Sequence, residues 1–274
     1  MMTVVRLIGV VACLGVMGLA SVAGAQGGSR RNGGGNYQQY FGNANDYYVP
    51  PDWTGNPVYE GRVTFVRVKY RGYEKWAQQG PGWAHDYPRA EMHFDKIMRE
   101  ITSMRMFIEA PPVFGSTILA LDDPLLFKYP IAYLSEPGGW HMTPTEVAGF
   151  RKYISRGGFI IFDDMGSRGF DVPNLVVEWQ KAFPTAKLME LPQNHPVFDS
   201  FFKVDFAKVQ GYYGRAEFYA FYEDNDPKKR LLAVVNNNND LGEWIEFSDR
   251  GFNVTPSNEA YKLAVNYFVY ALTH

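Results

Sequence analysis

Apolar and polar positions along this chain follow two periods in turn, one of strands and one of helices. Val63-Thr-Phe-Val-Arg-Val-Lys-Tyr70 is a β-branched and aromatic run that predicts a first strand. Arg89 to Met104 sets Phe94, Ile97, Met98, Ile101 and Met104 at helical spacing, so an amphipathic helix is expected there. Thr117 to Leu121 and Pro130 to Ser135 predict short buried strands. Thr143-Pro144-Thr145-Glu146 is a capping box with proline at the first helical position. The helix it opens turns Val147, Phe150 and Ile154 inward and stops at Arg156-Gly157-Gly158. Phe159-Ile-Ile-Phe162 is apolar throughout, as a parallel strand buried on both faces should be, and Asp163-Asp164-Met165-Gly166 ends it. A helix over Asn174 to Ala182 and strands over Lys187 to Leu191 and Leu231 to Val235 follow. The closing helix starts at about Ser257 and faces inward with Tyr261, Ala264, Val265, Phe268 and Leu272. Gly211 to Asn225 is aromatic without a helical period and predicts a β insertion or edge hairpin. Strands alternating with helices imply an open α/β sandwich, a mostly parallel sheet with helices on both faces.

The first residues follow other rules. Residues 1–25 carry one basic residue, Arg6, then an apolar run, and end in Ala23-Gly24-Ala25, the pattern of a cleaved signal peptide. The run is too short for a membrane-spanning helix, which needs about 20 apolar residues. An exported chain, periplasmic or extracellular and with no transmembrane segment after cleavage, is therefore expected. Residues 26–59 read as a Gly- and Asn-rich flexible tether followed by a Pro- and aromatic-rich extended arm. Residues 60–274 are the compact domain.

Cleavage changes the chemistry as well. It removes Cys13, the only cysteine, so the mature chain has no disulfide, thiolate nucleophile or Cys-ligated metal. The 26 basic residues that remain face 29 acidic ones, without a basic stripe, which argues against nucleic acid as a partner. The 20 Phe, 18 Tyr and 6 Trp are enough to build a core and also to line a sugar- or protein-binding surface.

A set of short motifs recurs in order: Trp83-x-x-Asp86-Tyr87-Pro88, Gly157-Gly158-Phe-Ile-Ile-Phe-Asp163-Asp164, His195-Pro196-Val-Phe198, Gly214-Arg215, Asp240-Leu241-Gly242 and Asn266-Tyr-Phe-Val-Tyr-Ala-Leu272. Together they resemble the bacterial domain-of-unknown-function family numbered 4159, over roughly Val63 to His274. The resemblance implies a fold similar to class I glutamine amidotransferases, a flavodoxin-like open sheet, with no established activity. Amidotransferases need a cysteine nucleophile after a central strand. This chain has none there, so that chemistry is excluded, and fold alone supplies no other.

Ligands of open α/β sheets sit beyond the carboxyl ends of the strands. Four segments should converge there: Arg71 to Tyr87, Asp122-Asp123, Glu136 to His141 and Asp163 to Arg168. The ligand-binding candidates are Trp83, His85, Asp86, Tyr87, Glu136, Trp140, His141, Asp163, Asp164 and Arg168. Asp163 and Asp164 could hold a divalent cation or act as acid and base; capping the turn or helix that follows, and ordering Gly166, is the simpler explanation. His141 is either a base or a surface histidine beside Trp140. Trp83 and Tyr87 either stack on a sugar ring or pin a long loop to the body. Asp86 is placed to cap the helix after Pro88. The Asn-rich run Asn236 to Asp240 is explained by a tight loop, with calcium disfavoured by its few acids. Phosphate-loop, dinucleotide and Gly-x-Ser-x-Gly patterns are absent.

Three functions fit. The first is a non-catalytic envelope module that binds a protein partner or a small ligand. The second is a metal-assisted hydrolase acting on a glycan or other envelope substrate through the carboxylate-rich rim. The third is a structural part of an envelope assembly, with the tether as its contact. The missing nucleophile puts binding ahead of catalysis.

Overall fold

A computed structural model describes residues 55–71, 82–107, 116–166, 169–248 and 253–274. The expected signal peptide (1–25), the expected tether, the first part of the expected arm and Arg168 lie outside the described residues.

Among the described residues, seven strands form one sheet in the order β2-β1-β3-β4-β7-β6-β5. They are β1 Phe65–Val68, β2 Ser116–Leu119, β3 Ile131–Ser135, β4 Phe159–Met165, β5 Met189–Glu190, β6 Glu217–Tyr222 and β7 Leu231–Asn237. From β2 to β7 every pairing is parallel; β6 runs antiparallel to both its neighbours. The helices are α1 Arg89–Ile101, α2 Pro144–Ser155, α3 Asp171–Ala182, α4 Leu241–Glu246 and α5 Val254–Thr273. Mixed α/β architecture with a mostly parallel sheet is thus observed. The aromatic segment near Gly211 supplies β6, which lies between β7 and β5, not at the sheet's edge.

Side-chain alternation along the strands builds two cores. Phe65, Tyr133, Phe159, Ile161 and Val234 pack with Phe94, Ile245 and Phe268 on one face. Val66, Leu134, Ile160, Phe162 and Val235 pack with Trp140, Phe150 and Trp179 on the other. All seven residues of β4 are buried, as the apolar run predicts. The Thr143 capping box is formed, its hydroxyl accepting from the Glu146 N–H while the Glu146 carboxylate accepts from the Thr143 N–H at 2.8 Å. Nothing in the apolar pattern announces α4, because it is only six residues long and is set by Asp240 at its N-cap, where a tight loop was expected.

The described end of the arm lies on the domain. Asn56 Nδ2 donates to the Ile118 carbonyl at 2.9 Å and its Oδ1 accepts from the Ile118 N–H at 2.8 Å, so one side-chain amide pairs edge strand β2 as another strand would. Among the described residues, no helix is long and apolar enough to cross a membrane.

Helix α1 buries two acids on one face, Glu91 and Asp95. Glu91 pairs with the Nε of buried Arg67. Neither oxygen of Asp95 has a hydrogen-bond partner among the described residues, and the residue is 1% exposed. Burial first, then the charge of Glu91, pushes the Asp95 carboxyl well above the usual carboxylate range. The folded state therefore binds that proton more tightly than the unfolded chain. The associated stability is fully present below the unfolded pKa and is lost as pH rises through the folded one. Asp95→Asn should raise stability at pH 7, by on the order of 1 kcal/mol. The gain should shrink as pH falls below the ordinary carboxylate range; denaturant melts at pH 4 and pH 7 check this.

Candidate functional site

The parallel order places a topological switch between β1 and β3, since β1 is followed by β2 on one side and β3 lies on the other. Such a point opens a crevice at the strands' carboxyl ends. Among the described residues, five segments reach it: the turn 85–88 ahead of α1, Glu136 after β3, the end of β4, Asp240 ahead of α4, and Tyr212 before β6.

His85, Asp86, Asp164 and Asp240 meet there. One donor atom from each lies within 4.8 Å of the other three. His85 Nδ1 is 2.8 Å from Asp164 Oδ2 and 3.6 Å from Glu136 Oε1, and its side chain is 54% exposed. The three aspartates are buried. Tyr212 donates its hydroxyl toward Asp164 Oδ1 at 2.6 Å and Asp240 Oδ2 at 2.7 Å. A phenol carries one hydrogen, so Tyr212 shares it between the two carboxyls and ties them together. Burial, then the charges of Asp164, Asp86 and Asp163, pushes Asp240 well above the usual carboxylate range. Burial also raises Asp86, with His85 pulling the other way. At His85 burial favours the neutral ring, but Asp86 and the bond to Asp164 outweigh it and raise the imidazole well above its ordinary pKa.

The backbone is strained to achieve this. Asp86, Glu136 and Asp164 have φ of 61°, 47° and 55°, in the left-handed region. That conformation costs an L-residue roughly 1–2 kcal/mol. Three left-handed acids around one crevice mark a place where the chain accepts strain to aim side chains.

A family model described as a domain of unknown function (DUF4159) matches residues 64–272. The chain belongs to that family. No curated protein matches it. All the residues of the crevice in this DUF4159 chain, from His85 to Asp240, fall within the matched span.

Asp163 does not join Asp164. Tyr133 Oη donates to its Oδ2 at 2.7 Å, Gly242 N to the same oxygen at 2.9 Å, and Asn236 Nδ2 and Leu241 N to its Oδ1 at 3.1 and 3.2 Å. It caps α4 across the sheet, not the turn that follows it. Burial moves it up to about 6 while these donors hold it down. Asp163 continues the Phe159, Ile161 face, whereas the β-bulge after Phe162 and the left-handed backbone of Asp164 turn that residue away from it. The idea of an Asp163–Asp164 cation pair is corrected accordingly.

The aromatic candidates are corrected too. Trp83, Tyr87 and Trp140 are buried in the core that also holds Phe162 and Trp179. Trp140 lies 5.7 Å from Phe150 and 5.5 Å from Phe162, centroid to centroid. Rings closed in this way pin the loops and cannot stack on a sugar. Trp140→Ala should cost about 3–5 kcal/mol, read as a lowered denaturation midpoint.

Asp86 does not cap α1: Pro88 is the N-cap and no side chain bonds there. Its left-handed backbone turns the carboxylate toward Gly242 instead, where a Cβ would come within 2.4 Å of Asp86 Oδ2. His141 sits apart from the cluster, its Nδ1 3.2 Å from Glu178 Oε1 and 3.3 Å from Lys181 Nζ. Asp122 accepts from Thr145 Oγ1, and Asp123 caps the turn at Leu125. Glu136 reaches the rim, its Oε1 3.6 Å from His85 Nδ1. Arg168 lies outside the described residues.

Two site residues escaped the sequence pattern. Asp240 was readable, because Asp240 with Glu243 three positions on is a capping pattern. Tyr212, in a segment without period, left no local signal.

Proposed function

We propose that this DUF4159 chain is an exported, non-catalytic binding module of the bacterial cell envelope whose ligand seats on the acidic rim. The observation that carries the reading is the convergence of three buried aspartates, two of them with left-handed backbone, on the half-exposed His85. Two features support the rest. The order β2-β1-β3-β4-β7 follows the flavodoxin-like 2-1-3-4-5 pattern, the layout on which the amidotransferase-like reading rests. Residues 64–272 hold no cysteine, so an amidotransferase nucleophile is missing from the span that carries the fold.

The test is a pair of melting curves, each taken with and without a protein-free envelope extract. The extract should raise the midpoint of the unaltered protein and leave Asp164→Asn unmoved. Equal responses would remove the rim as the ligand site.

Hydrolysis at the same rim has one observation in its favour. His85 holds its Nδ1 on a buried carboxylate, the arrangement that orients an imidazole for proton transfer. Turnover of envelope glycan fragments, abolished by His85→Gln, would favour that second reading.

A further inference from the structure

We infer that His85, Asp86, Asp164 and Asp240 form a binding site for one divalent transition-metal cation of the Mn2+ or Zn2+ kind. The inference rests on the rim being the ligand site and names the ligand at its centre.

Distance comes first. A cation with ligands at about 2.1 to 2.4 Å places its donors no more than about 4.8 Å apart. The four donor atoms meet that limit, all within 4.8 Å of one another.

Asp86 is the independent sign of a ligand. The residue is 8% exposed, and its Oδ2 is buried without a hydrogen-bond partner among the described residues. Buried carboxylate oxygens are ordinarily satisfied, and one that is not costs about 1–3 kcal/mol or more. Its carboxylate belongs to the same cluster of donors, so a cation there would complete it. Gly242 supports the arrangement, since any side chain at that position would collide with this oxygen.

Charge points the same way. Three aspartates and one imidazole converge, and the buried guanidinium nearby makes its hydrogen bonds elsewhere. Arg67 donates to Glu91 and, through Nη1, to the carbonyls of Trp83 at 2.9 Å and His85 at 2.7 Å. It fixes the backbone of the turn and gives Asp86 no hydrogen bond.

The donor set selects the metal. Carboxylates alone would suit Ca2+ or Mg2+, whereas an imidazole among oxygens and the lack of thiolates suit Mn2+ and Zn2+. Outer partners that orient ligands are present as well. Tyr212 bridges Asp164 and Asp240, and the Glu243 N–H donates to Asp240 Oδ1 at 2.8 Å. The half-exposed side chain is His85, so the site opens to solvent on that side and leaves coordination positions for an external ligand.

The experiment is calorimetric titration of the metal-depleted full chain with MnCl2 and, separately, ZnCl2. One equivalent should bind. Asp86→Asn should weaken binding by at least about 100-fold, beyond the roughly 10- to 100-fold that losing an outer partner costs. Because the buried Asp86 oxygen accepts no hydrogen bond, that variant is expected to fold, and its melting curve verifies this. In the Mn2+ complex, nitrogen hyperfine coupling should be present and should vanish in His85→Gln. No saturable binding of either metal by the folded protein would overturn the inference, as would affinity unchanged in Asp86→Asn or binding of Ca2+ and Mg2+ alone. If metal fails to bind while Asp164→Asn still abolishes the response to envelope extract in the presence of EDTA, the rim stands as a binding site and only the cation falls.

Discussion

Asp163→Ala should destabilise the domain by about 3–5 kcal/mol, because it strands four buried donors at once. Those donors are the Tyr133 hydroxyl, the Asn236 amide and the N–H groups of Leu241 and Gly242. Asp163 is fully buried, so water cannot replace them without opening the sheet. It ties β4 to β3, to β7 and to the start of α4, and the loss should spread across the centre of the fold. For a domain of this size the melting midpoint should fall by roughly 10 °C. Asp164→Asn, one residue on, should change stability by no more than about 1 kcal/mol, since crowded carboxylates and a strained backbone offset its bonds. Thermal melts of the two variants decide it. Equal losses would mean that both aspartates are structural and would remove the distinction drawn here.

The second large effect is expected at Arg67. Its guanidinium is fully buried, pairs with Glu91 and holds the carbonyls of Trp83 and His85. Arg67→Met leaves Glu91 buried without its partner, a situation that costs about 3–5 kcal/mol. Removing both charges is a different matter. Arg67→Met with Glu91→Leu should recover more than half of that loss, because a buried pair replaced by apolar groups of similar volume is often neutral. The double variant should still lose rim function, since the two carbonyls that position His85 and Asp86 have no donor. A single variant as stable as the unaltered protein would refute the role given to Arg67.

How much of this was legible in the chain depends on the range over which each feature is decided. The α2 cap was readable because Thr143 and Glu146 settle it between themselves. The apolar run of β4 was readable because burial on both faces leaves no polar position before Asp163. That same uniformity hid which layer each residue faces. Asp163 and Asp164 looked equivalent until the β-bulge and the left-handed backbone of Asp164 sent one to α4 and the other to His85. Trp83 and Trp140 sit in loop and turn sequence beside polar residues, which suits exposed and buried rings alike. Only packing against Phe150, Phe162 and Trp179 tells them apart. Tyr212 meets Asp164 from 48 positions away in the chain, and no local period encodes such a contact. Most of the sheet order was out of reach for the same reason. Alternating strands and helices imply parallel pairing, but not that β6 lies inside the sheet between β7 and β5.

The central claim is that the crevice at the β1/β3 switch, and not the Asp163 network behind it, is where this chain holds a ligand. An anomalous-scattering map from crystals grown with MnCl2 tests it most directly. One peak is predicted in contact with His85, Asp86, Asp164 and Asp240, with Asp163 left to its protein donors. A peak on Asp163, a peak at the His141 and Glu178 pair alone, or a saturated crystal with no peak in the crevice would contradict the account.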